Sequence, residues 1–141
     1  VLEALGLKTV FHKVAMKPGK PLLFGTLGRT LVFGLPGNPV AALLCAEEFI
    51  RPALEGLSGR RAGPPSYHLR GTLTDGYPGA EGRRQYLYCA CRRENGRFLL
   101  TPLRPQGSAL LGMACRAAAL AVAPEGGRLS AGRELDFRWL K

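Results

Sequence analysis

Residues 34–46 read GLPGNPVAALLCA, and here an apolar run passes into the most strongly helical part of the chain. Asn38 is a preferred N-cap residue, and Pro39 suits the first helical position, where its missing N–H is not needed. Apolar residues then recur at helical spacing to about residue 57, and Pro52 lies where it should kink or restart the helix. The stretch therefore predicts a loop that leads directly into a helix over residues 38–57.

The same loop is a candidate anion-binding site. A helix N-terminus offers unpaired backbone N–H groups and a partial positive charge. Gly37 has no Cβ, so a ligand can approach the backbone closely, and Pro36 and Pro39 stiffen the loop on either side. Pro-Gly-Asn-Pro is also favourable turn-and-cap chemistry. Taken alone, the loop leaves both an anion pocket and a plain turn open.

Lysines precede this loop in a second segment of interest. Residues 8–16 alternate loosely and carry β-branched and aromatic side chains, which predicts a strand. On a strand that continues to residue 17, Lys13 and Lys17 would project from the same face, roughly 13 Å apart. That spacing suits a ligand with several anionic groups, and solvated lysines on an exposed face are the alternative. The runs PLLFGTL and TLVFGLP that follow predict a hairpin around residues 28–29.

The pattern changes after residue 57. Residues 58–65 combine glycine, proline and arginine without apolar periodicity, and they predict a linker. It divides the chain into the end of an α/β domain, residues 1–57, and a small all-β domain, residues 66–141. Short β-like runs separated by turns predict a small barrel or sandwich in the second part, with a tight hairpin at residues 95–96. Only residues 108–116 are expected to be helical there.

The charge of the chain favours an anionic partner. Twenty basic residues face ten acidic ones, for a net charge of +10. Such a balance suits phosphate, a nucleotide or nucleic acid. The arginines are scattered and do not share one helical face with interleaved aromatics, so nucleic acid is disfavoured. The longest mostly apolar stretch is interrupted by Arg116 and is too short to span a bilayer, so no membrane association is expected.

The four cysteines predict neither a metal site nor a disulfide. None belongs to a C-x-x-C motif, and only two histidines are available to complete a site. Cys89 and Cys91 lie two apart in a predicted strand, so they point the same way and cannot easily bridge each other. Reduced, mostly buried thiols in a cytoplasmic protein are the interpretation.

Four motifs resemble one known family. MKPGKPLLFG at 16–25, followed by VFGLPGNPVAALL at 32–44, closely resembles the signature of the MoeA/gephyrin family of molybdopterin molybdenumtransferases. EGRRQYLYC at 81–89 is similar to the family's GR-x-E-F-x-R segment. PLRPQGSALLGMACRAAALAVAP at 102–124 is similar to its P-x-x-x-QGSG-x-L-x-S-L segment. The resemblance covers essentially all 141 residues, with Gln85, Tyr88 and Ala109 departing from the pattern.

The resemblance implies both an architecture and an activity. The first part would be the C-terminal end of an α/β/α domain that binds molybdopterin, and the β-rich tail would pack near the partner's cleft in a homodimer. The family's enzyme inserts molybdate into adenylated molybdopterin and releases AMP, with a divalent cation such as Mg²⁺ held by acidic residues of earlier segments. The chain begins as if a helix were already under way, so it is expected to be a fragment that binds but does not catalyse.

The resemblance also assigns binding residues, while no catalytic or metal-binding residue is assigned. Lysines would contact anionic groups, prolines would shape the pocket wall, and two residues of the tail would face the cleft of the other subunit. For these last two, a solvated arginine and a helix N-cap serine are the alternatives. In chain order the predicted binding residues are Lys13, Lys17, Pro36, Gly37, Asn38, Pro39, Arg83 and Ser108.

Two other classes of function stay open on the sequence. A small basic β-barrel could bind nucleic acid, with its aromatic side chains stacked on bases. A scaffold or interaction domain of the gephyrin type is the third class. The salt dependence of binding would distinguish the first of these, because many phosphate contacts predict a steep loss of affinity with salt and a small pocket predicts a shallow one.

Overall fold

The computed structural model describes residues 2–60, 63–104 and 110–140, with only the backbone of Leu110. The chain forms two units, residues 1–65 and residues 66–141, which are described in turn. The first unit opens with a 3₁₀ turn and a three-stranded antiparallel sheet in the order β1-β3-β4, and a two-residue strand, β2, follows β1. These elements are the 3₁₀ turn Glu3–Leu5, β1 Lys8–His12, β2 Met16–Lys17, β3 Leu23–Leu27 and β4 Thr30–Gly34.

The predicted hairpin is confirmed. Leu27 pairs with Thr30, so a two-residue turn of Gly28 and Arg29 joins β3 to β4. Gly28 has φ 58°, in the left-handed region that glycine enters without steric cost.

The predicted strand over 8–16 is too long. β1 ends at His12, and Lys13 takes a left-handed conformation with φ 73°. The chain turns there because two backbone bonds close the loop: the Lys13 N–H donates to the Leu22 carbonyl at 2.8 Å and the Val14 N–H to the Lys20 carbonyl at 2.9 Å. Lys13 and Lys17 are therefore not on one strand and do not share a strand face, contrary to the prediction.

The long helix forms as predicted, with a change of winding in its middle. α1 Pro39–Cys45 passes into a π-helical segment, Ala46–Ile50, and then into α2 Arg51–Leu57. Proline in a helix interior lacks its N–H and crowds the carbonyl four residues earlier. The wider turn before Pro52 relieves that crowding, and the Arg51 N–H donates to the Ala46 carbonyl, five residues back.

The second unit is a closed five-stranded barrel. Following the hydrogen-bonded neighbours β6-β7-β5-β9-β8 leads back to β6, so each strand has a partner on both sides. All pairings are antiparallel except the parallel pair β5–β7. The elements are β5 Leu69–Leu73, β6 Arg84–Glu94, β7 Arg97–Pro102, helix α3 Leu110–Arg116, β8 Ala119–Ala123 and β9 Glu134–Trp139.

Two adjacent residues determine the turn between β6 and β7. Glu94 pairs with Arg97, and the two residues between them, Asn95 and Gly96, have φ 48° and 78°. The predicted Asn-Gly hairpin between two strands is thus confirmed.

Small and large side chains alternate inside the barrel. A Cβ at Gly71 would lie 2.8 Å from Leu100 Cγ and 3.3 Å from Phe137 Cε1, so glycine is required for the strands to close. The other core positions combine leucines with alanines on β8, which keeps the interior filled at a small diameter. The buried core comprises Leu73, Leu87, Cys89, Leu100, Ala119, Ala121, Ala123, Leu129, Leu135 and Phe137.

Candidate functional site

The proline-flanked loop before α1 is exposed at three of its four predicted binding residues. Pro36 is buried, whereas Gly37, Asn38 and Pro39 are exposed. A Cβ at Gly37 would meet no atom within 4 Å, so open space lies beside this backbone. Pro36 therefore fixes the loop to the unit, and the other three residues form its accessible surface.

Asn38 occupies the backbone donors at the helix entrance. Its Oδ1 accepts the Val40 N–H at 3.0 Å and the Ala41 N–H at 3.3 Å, and its carbonyl accepts the Ala42 N–H at 2.9 Å. Pro39 has no N–H to offer. The N-cap prediction is confirmed. The expectation that unpaired N–H groups of this first turn hold an anion is wrong for this conformation, because the asparagine side chain already uses them.

The segment between β1 and β3, residues 13–22, carries Lys13 and Lys17, and we call it the lysine-bearing loop. It is anchored on the side of α1. A Cβ at Gly19 would lie 2.9 Å from Met16 Cε and 3.1 Å from Cys45 Sγ, and Gly19 has φ 117°. These contacts explain the glycine in KPGKP, which the sequence alone did not. Cys45 lies seven residues beyond the cap, about 10 Å along the helix axis. Lys17 is half-buried in this anchored loop, while Lys13 is exposed.

The thiol at this anchor is inert. Burial, followed by the nearby Glu48 carboxylate, raises the pKa of Cys45 to about 11. Burial, followed by Cys91, raises the pKa of Cys89 to about 12. Both thiols are neutral near pH 7, so they act as small apolar groups and not as nucleophiles. All four cysteines are free as predicted, but only Cys45 and Cys89 are buried, and Cys115 is exposed.

The acidic residues near the helix do not fit a magnesium site. Mg²⁺ prefers octahedral oxygen ligands with one or two carboxylates. Residues 2–60, 63–104 and 110–140 contain no group of three or more His, Cys, Asp or Glu side chains that could hold a metal ion. Glu47 bonds the Arg51 guanidinium at 2.8 Å. No chemical step is assigned to a metal held by the described part of this chain.

One of the two predicted residues of the tail, Arg83, is described in the barrel unit. Arg83 is half-buried immediately before β6, and its N–H donates to the Ala80 carbonyl at 3.2 Å. Ser108 lies outside the described residues. Gln85, which replaces the family's acid, is 4% exposed, and its Oε1 has no hydrogen-bond partner among the described residues. Because an unpaired buried carboxylate would cost far more than an amide, this position suits glutamine.

The first unit also contains an apolar cavity that is separate from these residues. Its volume is about 380 Å³, and one cationic residue, Arg29, lies among mainly apolar side chains. None of the predicted binding residues lines it. The lining comprises Arg29, Thr30, Leu31, Phe33, Ile50, Ala53, Leu54 and Leu57.

Across the described part of the chain, no helix has the length and apolar character needed to cross a membrane.

Two family models match the amino-acid sequence of the chain, one in each unit. Residues 1–56 match the family described as "Probable molybdopterin binding domain", and residues 70–140 match "MoeA C-terminal region (domain IV)". The first match falls within the α/β unit and the second within the barrel.

Individual proteins that are similar to this chain are named as molybdopterin molybdenumtransferases. A molybdopterin molybdenumtransferase of Synechococcus elongatus is 53% identical over 55 residues, which are 38% of this chain and 14% of that protein. The corresponding proteins of Haemophilus influenzae and Bacillus subtilis are 37% identical over 86 residues and 28% identical over 128 residues. The chain covers 21% and 30% of those two proteins, so it spans less than a third of each curated relative compared.

Solved structures show the same fold. The molybdopterin biosynthesis MoeA protein of Pyrococcus horikoshii superposes with a TM-score of 0.74 at 27% identity, over 99% of this chain and 34% of that chain. A molybdenum cofactor biosynthesis protein of Pyrococcus furiosus gives a TM-score of 0.68 at 24% identity, over 93% of this chain and 45% of that chain.

Proposed function

This chain belongs to the MoeA family, and we propose that it forms the C-terminal part of a molybdopterin molybdenumtransferase. The observation that carries the proposal is the order of the two matches. The molybdopterin-binding model at 1–56 falls within the α/β unit, and the domain IV model at 70–140 falls within the barrel.

The proposed reaction is the transfer of molybdenum to molybdopterin. In detail, molybdate is inserted into adenylated molybdopterin and AMP is released. The Mg²⁺ ion would be bound by residues outside this chain. The working protein is proposed to be a cytoplasmic homodimer. This chain contributes substrate binding, and it is not expected to catalyse the reaction alone.

Within the chain, the lysine-bearing loop is proposed to carry the binding. Lys17 is half-buried in a loop that Gly19 anchors on Cys45, so the backbone that carries this lysine is held in place before the ligand arrives. Such preorganisation reduces the entropy lost on binding. Lys13 and the exposed surface of Gly37, Asn38 and Pro39 complete the proposed site in this unit. Arg83 and Ser108 are proposed to face the corresponding cleft of the other subunit in the homodimer.

A chimera tests the proposal. The matching 128-residue region of the Bacillus subtilis enzyme would be replaced by this chain and expressed in a strain that lacks its own enzyme. Restored activity of a molybdenum-dependent enzyme, together with molybdenum in the purified cofactor, is the expected result. Lys17→Ala and Pro36→Leu in the chimera should abolish insertion while the circular dichroism spectrum stays unchanged.

Lys8→Ala is the matched control, because Lys8 is an exposed lysine on β1 that has no proposed ligand contact. It should leave insertion unchanged. A folded chimera that inserts no molybdenum and binds no molybdopterin would contradict the proposed function. A chimera that is active with or without the lysine at position 17 would keep the function but remove that residue from the site.

A further inference from the structure

The apolar cavity of the first unit lies between one strand and the end of the long helix. Leu31 and Phe33 of β4 form one wall, and four residues at helical spacing between Ile50 and Leu57 form the other. The cavity holds about 380 Å³, whereas close-packed interiors leave few voids larger than a water molecule, which takes up about 30 Å³ in the liquid. The helix and the strand therefore do not complete a core between them.

The helical wall of this cavity is open to solvent. Leu54 and Leu57 are 59% and 69% exposed, although both line the cavity. Charged residues occupy another side of the same helix, because Arg51 lies about a third of a turn away from these leucines. There Arg51 forms ion pairs with Glu47 and Glu55. The exposed leucines are thus one apolar stripe and not part of the charged surface.

The sheet beside the cavity also ends at an open edge. Among the described residues of this unit, β4 pairs with β3 alone, and the sheet has three strands. An edge strand presents a row of N–H and C=O groups that can pair with another strand. Sheets of globular domains average about five or six strands, so a sheet of three with an apolar stripe beside its edge has the character of part of a larger layer.

Another part of the parent enzyme is the occupant that fits, an inference that rests on the proposed function. This chain covers 14% to 30% of the curated relatives compared, and residues 1–56 match a molybdopterin-binding domain. The start of the chain also lies near the cavity. A Cβ at Gly6 would lie 3.8 Å from Leu27 Cδ1, and Leu27 pairs with Thr30, which lines the cavity. A segment that precedes residue 2 in the parent enzyme would enter there.

We propose that a helix from the preceding part of the enzyme docks beside α2 and fills the cavity with apolar side chains, while a strand from the same part pairs with the open edge of β4. Packed helices lie 8–10 Å apart, so a neighbour of α2 would cover Leu54 and Leu57 together. A free amphipathic ligand fits less well, since it would leave the edge of β4 unpaired. The homodimer of the proposed function uses other surfaces.

Thiol labelling in the isolated chain and in the chimera tests this docking. Leu57→Cys is introduced into both proteins, and mass spectrometry of the maleimide-labelled peptides distinguishes residue 57 from the natural cysteines. The cysteine should react at least about tenfold more slowly in the chimera, where the docked helix must open first. Arg51→Cys is the matched control, because the Arg51 side chain is 62% exposed on another side of the same helix and surface ion pairs contribute little. Its labelling rate should be the same in both proteins.

Dye binding to the isolated chain provides a second measurement. Anilinonaphthalene sulfonate, an apolar dye whose sulfonate suits Arg29, should bind the 141-residue chain with increased emission. Leu54→Asp should reduce that increase. Because exposed positions contribute little to stability, the same change should shift the thermal midpoint of the chain by less than about 4 °C.

Three results would overturn the proposal. They are equal labelling of residue 57 in the isolated chain and in a folded chimera, dye emission that Leu54→Asp does not reduce, and self-association of the isolated chain that Leu57→Asp abolishes. The last result would assign the surface to a second copy of the chain. If the chimera does not fold, the dye and self-association measurements decide alone. Loss of molybdenum insertion by a folded chimera would count against the proposed function and not against this surface, because labelling requires no activity.

Discussion

Substitutions at Asn38 should separate its role as a helix cap from its proposed role in ligand binding. In Asn38→Ala, the Val40 and Ala41 N–H groups lose an acceptor that now lies 3.0 and 3.3 Å away. Loss of such a cap costs about 1 kcal/mol, which for a unit of this size lowers the melting temperature by roughly 4–8 °C. The measurement is a thermal melt of the chain followed by circular dichroism.

Asn38→Asp should have the opposite pattern, in which stability is retained and ligand binding is weakened. A carboxylate can accept the same two hydrogen bonds, and its charge is favourable at a helix N-terminus by about 0.3–1 kcal/mol, so the melting temperature should be retained or raised. A negative charge about 5 Å from a phosphate costs about 1 kcal/mol in water and about 3 kcal/mol near a protein surface. Affinity for molybdopterin should therefore fall by at least about fivefold.

The melting temperatures of both variants should be measured on the 141-residue chain, and their molybdopterin binding should be measured in the chimera described above, both at pH 7. An unchanged melting temperature in Asn38→Ala would show that the cap contributes no stability. Undiminished binding by a folded Asn38→Asp chimera would show that this loop does not lie against the anionic groups of the ligand.

Three further predictions concern stability. Gly71→Ala should destabilise the barrel by about 1–3 kcal/mol in urea unfolding, because its Cβ would lie 2.8 Å from Leu100 Cγ; an unchanged unfolding midpoint would contradict this packing. Gly112→Ala in α3 should instead stabilise the chain by about 0.5–1 kcal/mol, because a Cβ there meets no atom within 4 Å and alanine favours the helix; a loss of stability would refute it. The unfolding free energy should decrease as pH rises from 9 to about 12, because the unfolded state ionises Cys89 first while burial holds its folded pKa at about 12. Cys89→Ala should have a flatter profile, and an equally steep one would exclude this thiol as the cause.

The features that were predictable from the sequence are those that a few adjacent residues determine. Asn38 caps its helix because its own side chain reaches the next two N–H groups, and Asn95-Gly96 turns because both residues tolerate positive φ. The barrel strands were recognisable individually from their composition. Their order was not, since closure depends on pairs such as β6 with β8, which are distant in sequence.

The overlong strand and the unexplained Gly19 share a cause, because in both places contacts between distant segments override the local pattern. Residues 8–16 look like one strand, but the backbone bonds from Lys13 and Val14 to the Leu22 and Lys20 carbonyls, which lie just before β3, force a turn after His12. The need for Gly19 likewise arises from Cys45, 26 residues away. Neither constraint is visible in a short window of sequence.

The cap also changes how an anion should be held in this unit. Backbone N–H groups of the first helical turn could bind a ligand only if Asn38 released them, at a cost of about 1 kcal/mol. Lysine side chains carry no such cost, because nothing needs to be broken before they bind. Lys17 has the further advantage that its loop is already anchored by the packing of Gly19 on Met16 and Cys45. Binding should therefore depend on the lysine ammonium groups. The role of the proline-flanked loop before α1 would then be structural, because it sets the position of the helix.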